Sequence, residues 1–188
     1  TVNAYDLGLD YYFSERGHFK VTVYRNDAED FIYSVRRDAT NVDKVNVGGV
    51  KTEGAELELA WHPVDRLNLS ASLTLNDSVI VKHDLDATLE GKSLTNVPSQ
   101  QAHLRAEWTW PGGSSLYATV NHVDDRFGND TNTTVYKGYT TYDLGGQIPL
   151  GKDVMVRLNW ANVTDKKYEG IGYIAPGSTI SGSISAKF

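Results

Sequence analysis

Hydrophobic and polar residues alternate one by one along most of this chain. Leu67, Leu69, Ala71, Leu73 and Leu75 are interleaved with Asn68, Ser70, Ser72, Thr74 and Asn76. Ala102, Leu104, Ala106, Trp108 and Trp110 are interleaved with His103, Arg105, Glu107 and Thr109. The same period runs from Val154 to Ala161 and from Ser181 to Phe188. Successive side chains of an extended strand point to opposite faces, so this period gives one apolar and one polar face. No stretch shows a helical period. The pattern predicts about nine strands. They lie near residues 2–14, 18–35, 47–62, 66–82, 97–110, 115–124, 138–150, 153–164 and 176–188.

The connections alternate in kind. Ser14-Glu15-Arg16-Gly17, Pro63-Val64-Asp65, Pro111-Gly112-Gly113 and Gly151-Lys152 are short and carry the residues of tight hairpins. Residues 36–46, 83–96, 125–137 and 165–175 are long and polar. Short turns at one end and long loops at the other describe an antiparallel up-and-down meander, the arrangement of outer-membrane barrels. Tyr5, Tyr11, Tyr12 and Phe13 lie in the first strand, and Trp61, Trp108 and Trp110 lie beside short turns. Aromatic girdles predict that placement, although aromatics favour strands in any setting.

Alternation alone does not say which face meets water. Three features favour a membrane barrel, with the apolar face towards lipid. Several strands exceed the usual five or six residues. The polar faces are rich in Ser, Thr, Asn, Arg and Glu. Every hairpin joins sequential neighbours. Composition narrows the classes further. The chain has 188 residues, a formal net charge of −6 and no cysteine. The charge argues against a nucleic-acid surface, and the absence of Cys excludes disulfides and thiolate chemistry. No apolar run approaches the roughly 18 to 20 residues of a spanning helix. A sheet in lipid tolerates no open edge, and bacterial single-chain barrels have even strand numbers. About nine strands therefore read as part of a larger barrel.

Residues 159–177 read NWANVTDKKYEGIGYIAPG and lead into a strand ending at Phe188. This segment resembles the C-terminal signature of TonB-dependent outer-membrane receptors. The match lies at Asn162, Asp165, Lys166, Tyr168, Gly172, Tyr173, Pro176 and Gly177. Val163 stands where that signature has Leu, and Ser178 where it has Arg. Upstream, Gly54, Glu56 and Glu58 resemble the family's G-x-E-x-E strand, and Asn96-Val97-Pro98 its entry into a later strand.

The resemblance implies an all-β, antiparallel up-and-down transmembrane β-barrel, roughly 22-stranded and filled by an N-terminal plug domain. Residues 1–188 would be its C-terminal part, with the plug and the earlier strands absent. It also implies a bacterial outer-membrane location and TonB-dependent active uptake of a scarce nutrient, a ferric siderophore foremost, with cobalamin and haem still open. Implied partners are membrane lipid, the ligand, TonB through the absent plug, and the barrel-assembly machinery, which would read Phe188 as its C-terminal signal. Specificity would reside in the loops. Arg36, Arg37 and Arg126 are candidates to attract an anionic ligand, and Tyr136, Tyr139, Tyr168 and Tyr173 to contact it.

The acidic run Asp124-Asp125-Arg126-Phe127-Gly128-Asn129-Asp130 lacks the spacing of a calcium loop and reads as solvated, so no metal site is assigned. No cofactor is implied. The five His are dispersed, and nucleophile-elbow, P-loop and zinc-protease motifs are absent, so no enzyme is read. Glu56 and Glu58 share a strand face about 7 Å apart and read as lumen lining. Two rival readings stand beside the transporter: a passive porin-like barrel and a soluble β-sandwich binding module.

Overall fold

The structure is a computed structural model that describes residues 1–30, 32–36, 40–46, 48–170 and 173–187. Among these residues the chain forms β1 (Val2–Ser14), β2 (Gly17–Glu29), β3 (Ile32–Arg36), β4 (Val42–Asn46) and β5 (Gly49–Val64). Next come β6 (Leu67–Lys82), a single 3-10 turn (Ala87–Leu89), β7 (Gln100–Thr109), β8 (Ser115–Val123), β9 (Arg126–Phe127) and β10 (Val135–Tyr136). The chain ends with β11 (Tyr139–Leu150), β12 (Val154–Ala161), β13 (Glu169–Gly170), β14 (Tyr173–Ile174) and β15 (Thr179–Ala186).

Nine of these strands make one antiparallel sheet in the order β1-β2-β5-β6-β7-β8-β11-β12-β15. Each expected strand is present, and each pairs with its sequential neighbour in that set. The six remaining strands are three small hairpins within the long connections: β3 with β4, β9 with β10, and β13 with β14. Two expected boundaries are corrected. The strand read as 18–35 ends at Glu29, because Asp30 takes a left-handed backbone (φ 54°) and the chain leaves the sheet into the β3–β4 hairpin. The strand read as 153–164 ends at Ala161, because Asn162 is also left-handed (φ 50°).

The register sorts the side chains between two faces. Tyr11, Phe19 and Leu59 lie opposite one another across β1, β2 and β5, and Ala71, Leu104, Val120 and Tyr142 continue the row through β6, β7, β8 and β11. On the same face Leu144, Trp160 and Ile180 lie opposite one another across β11, β12 and β15. A one-residue slip would turn all of these to the other face, so the register is fixed by the medium each face meets. That medium is apolar for the hydrophobic face. Leu7 is 73% exposed and Ile184 is 75% exposed, whereas among the described residues the buried hydrophobic ones are Val50, Ile80, Leu89 and Ala175. A water-soluble sheet would bury the first group. Val50 and Ile80 are cross-strand partners on the polar face, at the loop end. Burial is thus concentrated where the loops fold back, not between sheet layers.

Two long cross-strand straps stiffen the polar face. Tyr24 on β2 lies opposite Gly54 on β5, which lies opposite Asn76 on β6. The Tyr24 hydroxyl passes over the glycine and donates to Asn76 Oδ1 (3.1 Å). The arrangement repeats with Tyr117 on β8, Gly145 on β11 and Asn159 on β12. There the hydroxyl donates to Asn159 Oδ1 (2.9 Å). A ring laid flat over a strand glycine replaces the packing that the missing side chain gives up.

Among the described residues β1 and β15 each pair on one side only, so the sheet is an open arc. β5 and β6, with 16 residues each, are taller than the roughly 9 to 11 residues that span a bilayer. β7 reaches only as far up β6 as Leu75. Above it, residues 91–94 take over: Ile80 N–H donates to Lys92 O, Gly91 N–H to Ile80 O and Leu94 N–H to Ser78 O.

Candidate functional site at the loop end

Three of the four long connections are bonded into one rim. Asn132 takes a left-handed backbone (φ 58°) that turns its amide towards residue 93. Ser93 N–H donates to Asn132 Oδ1 (2.7 Å), and Asn132 Nδ2–H donates to Ser93 O (3.0 Å). One side chain thereby satisfies both backbone groups of a residue on another loop. Asn96 N–H donates to Phe127 O (2.8 Å) and adds a second tie between these loops. Asn129 holds the β9–β10 hairpin from within, its Oδ1 accepting from the N–H groups of Thr133 and Thr134.

Arg126 connects this pair to the third loop. It is the cross-strand partner of Tyr136, with its guanidinium 5.4 Å from that ring's centre. Its Nη2–H donates to Glu169 O (2.6 Å), and only 7% of the residue is exposed. Next to Glu169, Tyr168 stacks on Tyr139 with ring centres 3.7 Å apart. Arg126, Tyr136, Tyr139 and Tyr168 are therefore joined through the rim. The buried Arg126 ties the second of these loops to the third. Tyr173, 64% exposed, pairs with Gly170 in the β13–β14 hairpin. Arg36 ends β3 in the separate β3–β4 hairpin. Arg37 and Phe188 lie outside the described residues.

The acidic run is a set of hooks more than a solvated loop. Asp124 Oδ2 accepts from Ser99 Oγ (2.6 Å). Asp125 Oδ1 accepts from Gly138 N–H (2.7 Å), and its Oδ2 meets Lys137 Nζ (2.8 Å). The Ser99 hydroxyl, then the Asp125 N–H, hold the Asp124 carboxyl below its ordinary value, and the Gly138 N–H and Lys137 do the same for Asp125. A cleft of about 290 Å³ opens between this loop and the top of β6, lined by Asn76, Ser78, Ser93, Ser99 and Arg126 among others. Hydroxyl, amide, carboxylate and apolar groups all line it.

The residues of the C-terminal signature have a structural task. Asn162 is 5% exposed. Its N–H donates to Asp143 Oδ1 (2.7 Å), its Nδ2–H to Lys166 O (2.9 Å), and its Oδ1 accepts from Lys166 N–H (2.9 Å). Asp165 Oδ1 accepts from Ser178 N–H (2.8 Å) and from Lys167 Nζ (2.9 Å). The signature is thus a knot between β12 and β15 that launches the third loop. The sequence does not mark Asn132, Asn129 or Ser93 as site residues: Asn129 and Asn132 sit in an Asn- and Thr-rich stretch that ordinary loops share.

Lower on the polar face, Arg105 pairs with Glu107 (2.9 Å) and lies 3.6 Å over the Tyr117 ring. Glu58 sits between Lys20 and Ser72, and Glu56 between Thr22 and Thr74, as lumen lining requires.

Residues 1–163 match the family model described as TonB dependent receptor-like, beta-barrel. The chain is 31% identical over 135 residues to the ferrioxamine receptor of Yersinia enterocolitica, covering 69% of this chain and 19% of that protein. It is 30% identical over 132 residues to a probable TonB-dependent siderophore receptor, PiuA, of Acinetobacter baumannii, covering 65% of this chain and 18% of the relative. The crystal structure of BauA, the ferric preacinetobactin receptor of Acinetobacter baumannii, superposes on the whole chain with a TM-score of 0.79 at 22% identity. The match takes in 29% of that receptor. The chain thus spans about a fifth of the length of these curated relatives.

Proposed function

The chain belongs to the TonB-dependent receptors, and from that premise we propose that the protein containing it imports a ferric siderophore across the outer membrane by TonB-dependent active transport. Its location is the bacterial outer membrane, where the apolar face of the nine-stranded arc meets lipid and the polar face lines the lumen. In this reading residues 1–188 supply one arc of a larger barrel of about 22 strands. The rest of the polypeptide supplies the remaining wall, the plug and the segment that TonB pulls.

The observation that carries the reading is the pairing of that apolar face with a bonded rim of loops at one end only. A wall that meets lipid needs no such rim. A surface that captures a ligand from outside does, because pre-organised loops lose less entropy on binding. The names of the two curated relatives favour a ferric siderophore as ligand class. No covalent step on the ligand is involved: the residues bind, orient and release.

The test is uptake of radio-iron as a panel of ferric siderophores, in cells whose sole receptor for them is the complete protein. The expected result is saturable accumulation of at least one siderophore that stops when TonB is removed. Accumulation that is non-saturable and indifferent to TonB would replace this reading with the porin-like one.

A further inference from the structure

Gly145 and Gly146 are neighbours on β11 that face opposite media, and only the first is covered. The Tyr117 ring lies over Gly145 on the polar face. Gly146 faces lipid, between Leu116 on β8 and Leu158 on β12. A carbon placed on Gly146 would meet the backbone of Ser115 and Leu116, and none of its three nearest atoms belongs to a side chain. Leu158 leans the other way. Its second cross-strand neighbour is Gly182 on β15, and Leu158 Cδ2 lies 3.1 Å from where a side chain on Gly182 would begin. The leucine fills the gap over β15 and leaves the one over β11 open. A groove of about 680 Å³ lies there, lined by Leu116, Leu144, Ile148 and Leu158, with Trp110 at its short-turn corner and Trp160 at the opposite one. Trp160 is held in place, because its Nε1–H donates to Ser178 Oγ (2.7 Å).

We propose that this groove binds one hydrocarbon tail of a phospholipid from the periplasmic leaflet, as a retained ligand distinct from the exchanging lipid around the barrel. A flat wall touches a tail on one side only. A groove touches it on several, and dispersion attraction grows with the number of atoms in contact. A strand glycine without a side chain over it marks a place where a ligand can approach the backbone closely. The volume falls within the roughly 300–1,000 Å³ of ligand pockets. The Trp160 wall stands before the tail arrives, so little freedom is lost on binding. The occupant follows from the surroundings: the groove is continuous with the apolar band that meets the membrane, so hydrocarbon covers it. The leaflet follows from the register. Trp110 adjoins the short turn at residues 111–113, and Leu144 at the other edge lies opposite Ala118, the fourth of the nine residues of β8. The groove therefore occupies the short-turn half of the wall. Short turns are periplasmic, and that leaflet of a bacterial outer membrane is phospholipid. Four residues of strand, about 14 Å, separate the levels of the two tryptophans, close to half of the roughly 30 Å hydrocarbon core. The inference rests on the apolar face meeting lipid and not on which nutrient is carried.

The experiment is native mass spectrometry of the complete receptor, extracted from outer membranes in mild detergent and washed. The expected result is a species that carries a single phospholipid. Its share falls severalfold in Leu158→Trp, whose ring fills the groove, and in Gly182→Val, which pushes Leu158 back over Gly146. It is unchanged in Leu9→Trp, on the same face at the other end of the sheet. All three variants are first shown to keep the heat-sensitive gel mobility of a folded barrel. In vesicles of phosphatidylethanolamine with a photoreactive group at the end of one tail, cross-links to the receptor should concentrate on residues 144–160. No retained lipid, an equal share in Leu158→Trp and Leu9→Trp, an adduct with the mass of lipid A, or cross-links spread evenly over the apolar face would overturn the proposal. TonB-dependent uptake is scored separately. A receptor that imports iron but retains no phospholipid removes this site and leaves the transport reading standing, and a retained phospholipid on a protein indifferent to TonB does the reverse.

Discussion

The hydroxyl of Tyr117 donates to Asn159 Oδ1 at 2.9 Å, across a strand that belongs to neither residue. The strand between them offers Gly145 at the crossing point, and a methyl group placed there would fall inside the tyrosine ring. Substituting Gly145→Ala should destabilise the receptor by about 1–3 kcal/mol, because the ring must leave both Asn159 and Arg105. Tyr117→Phe keeps the ring and loses only the hydrogen bond, so it should cost about 0.5–1.5 kcal/mol. Urea unfolding of the complete receptor in lipid vesicles measures both. Equal stability of Gly145→Ala and the parent would show that the ring is free to lift.

Asn132 makes a different kind of bridge, between loops. Asn132→Gly keeps the left-handed backbone and removes both bonds to Ser93, together with the 3.3 Å bond from its Nδ2–H to Asn129 O within the hairpin. The two bonds to Ser93 amount to roughly 1–3 kcal/mol of local stability. Hydrogen exchange of residues 83–96 and 125–137 should accelerate together, with the β-sheet unchanged. Acceleration of the second loop alone would mean that the two loops are not coupled.

The launch of the third loop should respond to acid. The Lys167 ammonium, then the Ser178 N–H, hold the Asp165 carboxyl below its ordinary value of 3.8. A carboxyl lowered in the folded state contributes stability that is fully present above its unfolded value and is lost as pH falls through its folded value. Hydrogen exchange at the N–H of Ser178, corrected for intrinsic rate, should therefore be flat at neutral pH and rise below about pH 4. Asp165→Asn should remove the pH dependence. An unchanged profile in that variant would assign the acid response to another group.

Leu73 and Ser72 are neighbours on β6 that face opposite media. Leu73 stands between Leu57 and Ala102, and Ser72 between Glu58 and His103. Leu73→Arg should cost about 2–4 kcal/mol in a bilayer, the toll of a cation at mid-membrane on the lipid face. Ser72→Arg should cost much less, because its side chain stays on the polar face opposite Glu58. Folding yield into lipid vesicles distinguishes them. Equal tolerance of the two would contradict the assignment of faces.

The sequence by itself determined the nine strands of the main sheet, their order and their two faces. Strand geometry has a period of two, so Leu67 to Asn76 could be read without knowing any neighbour. The hairpin turns carried their own residues, and sequential pairing followed. The C-terminal signature was legible as well, although its purpose was not: only the folded chain shows Asn162 bonded to Asp143 on β11 and Asp165 bonded to Ser178 ahead of β15. Contacts between segments distant in the chain were decided by the tertiary structure alone. Tyr117 and Asn159 are 42 residues apart, Ser93 and Asn132 are 39 apart, and Arg126 and Glu169 are 43 apart. No local pattern encodes such pairs, because each depends on which strands the sheet has placed side by side. For the same reason the bond from Arg126, read from the sequence as a candidate to attract an anionic ligand, to Glu169 O on another loop is visible only in the structure. A polar residue's exposure is fixed by what packs over it, and which loops meet is set by where the sheet holds their ends.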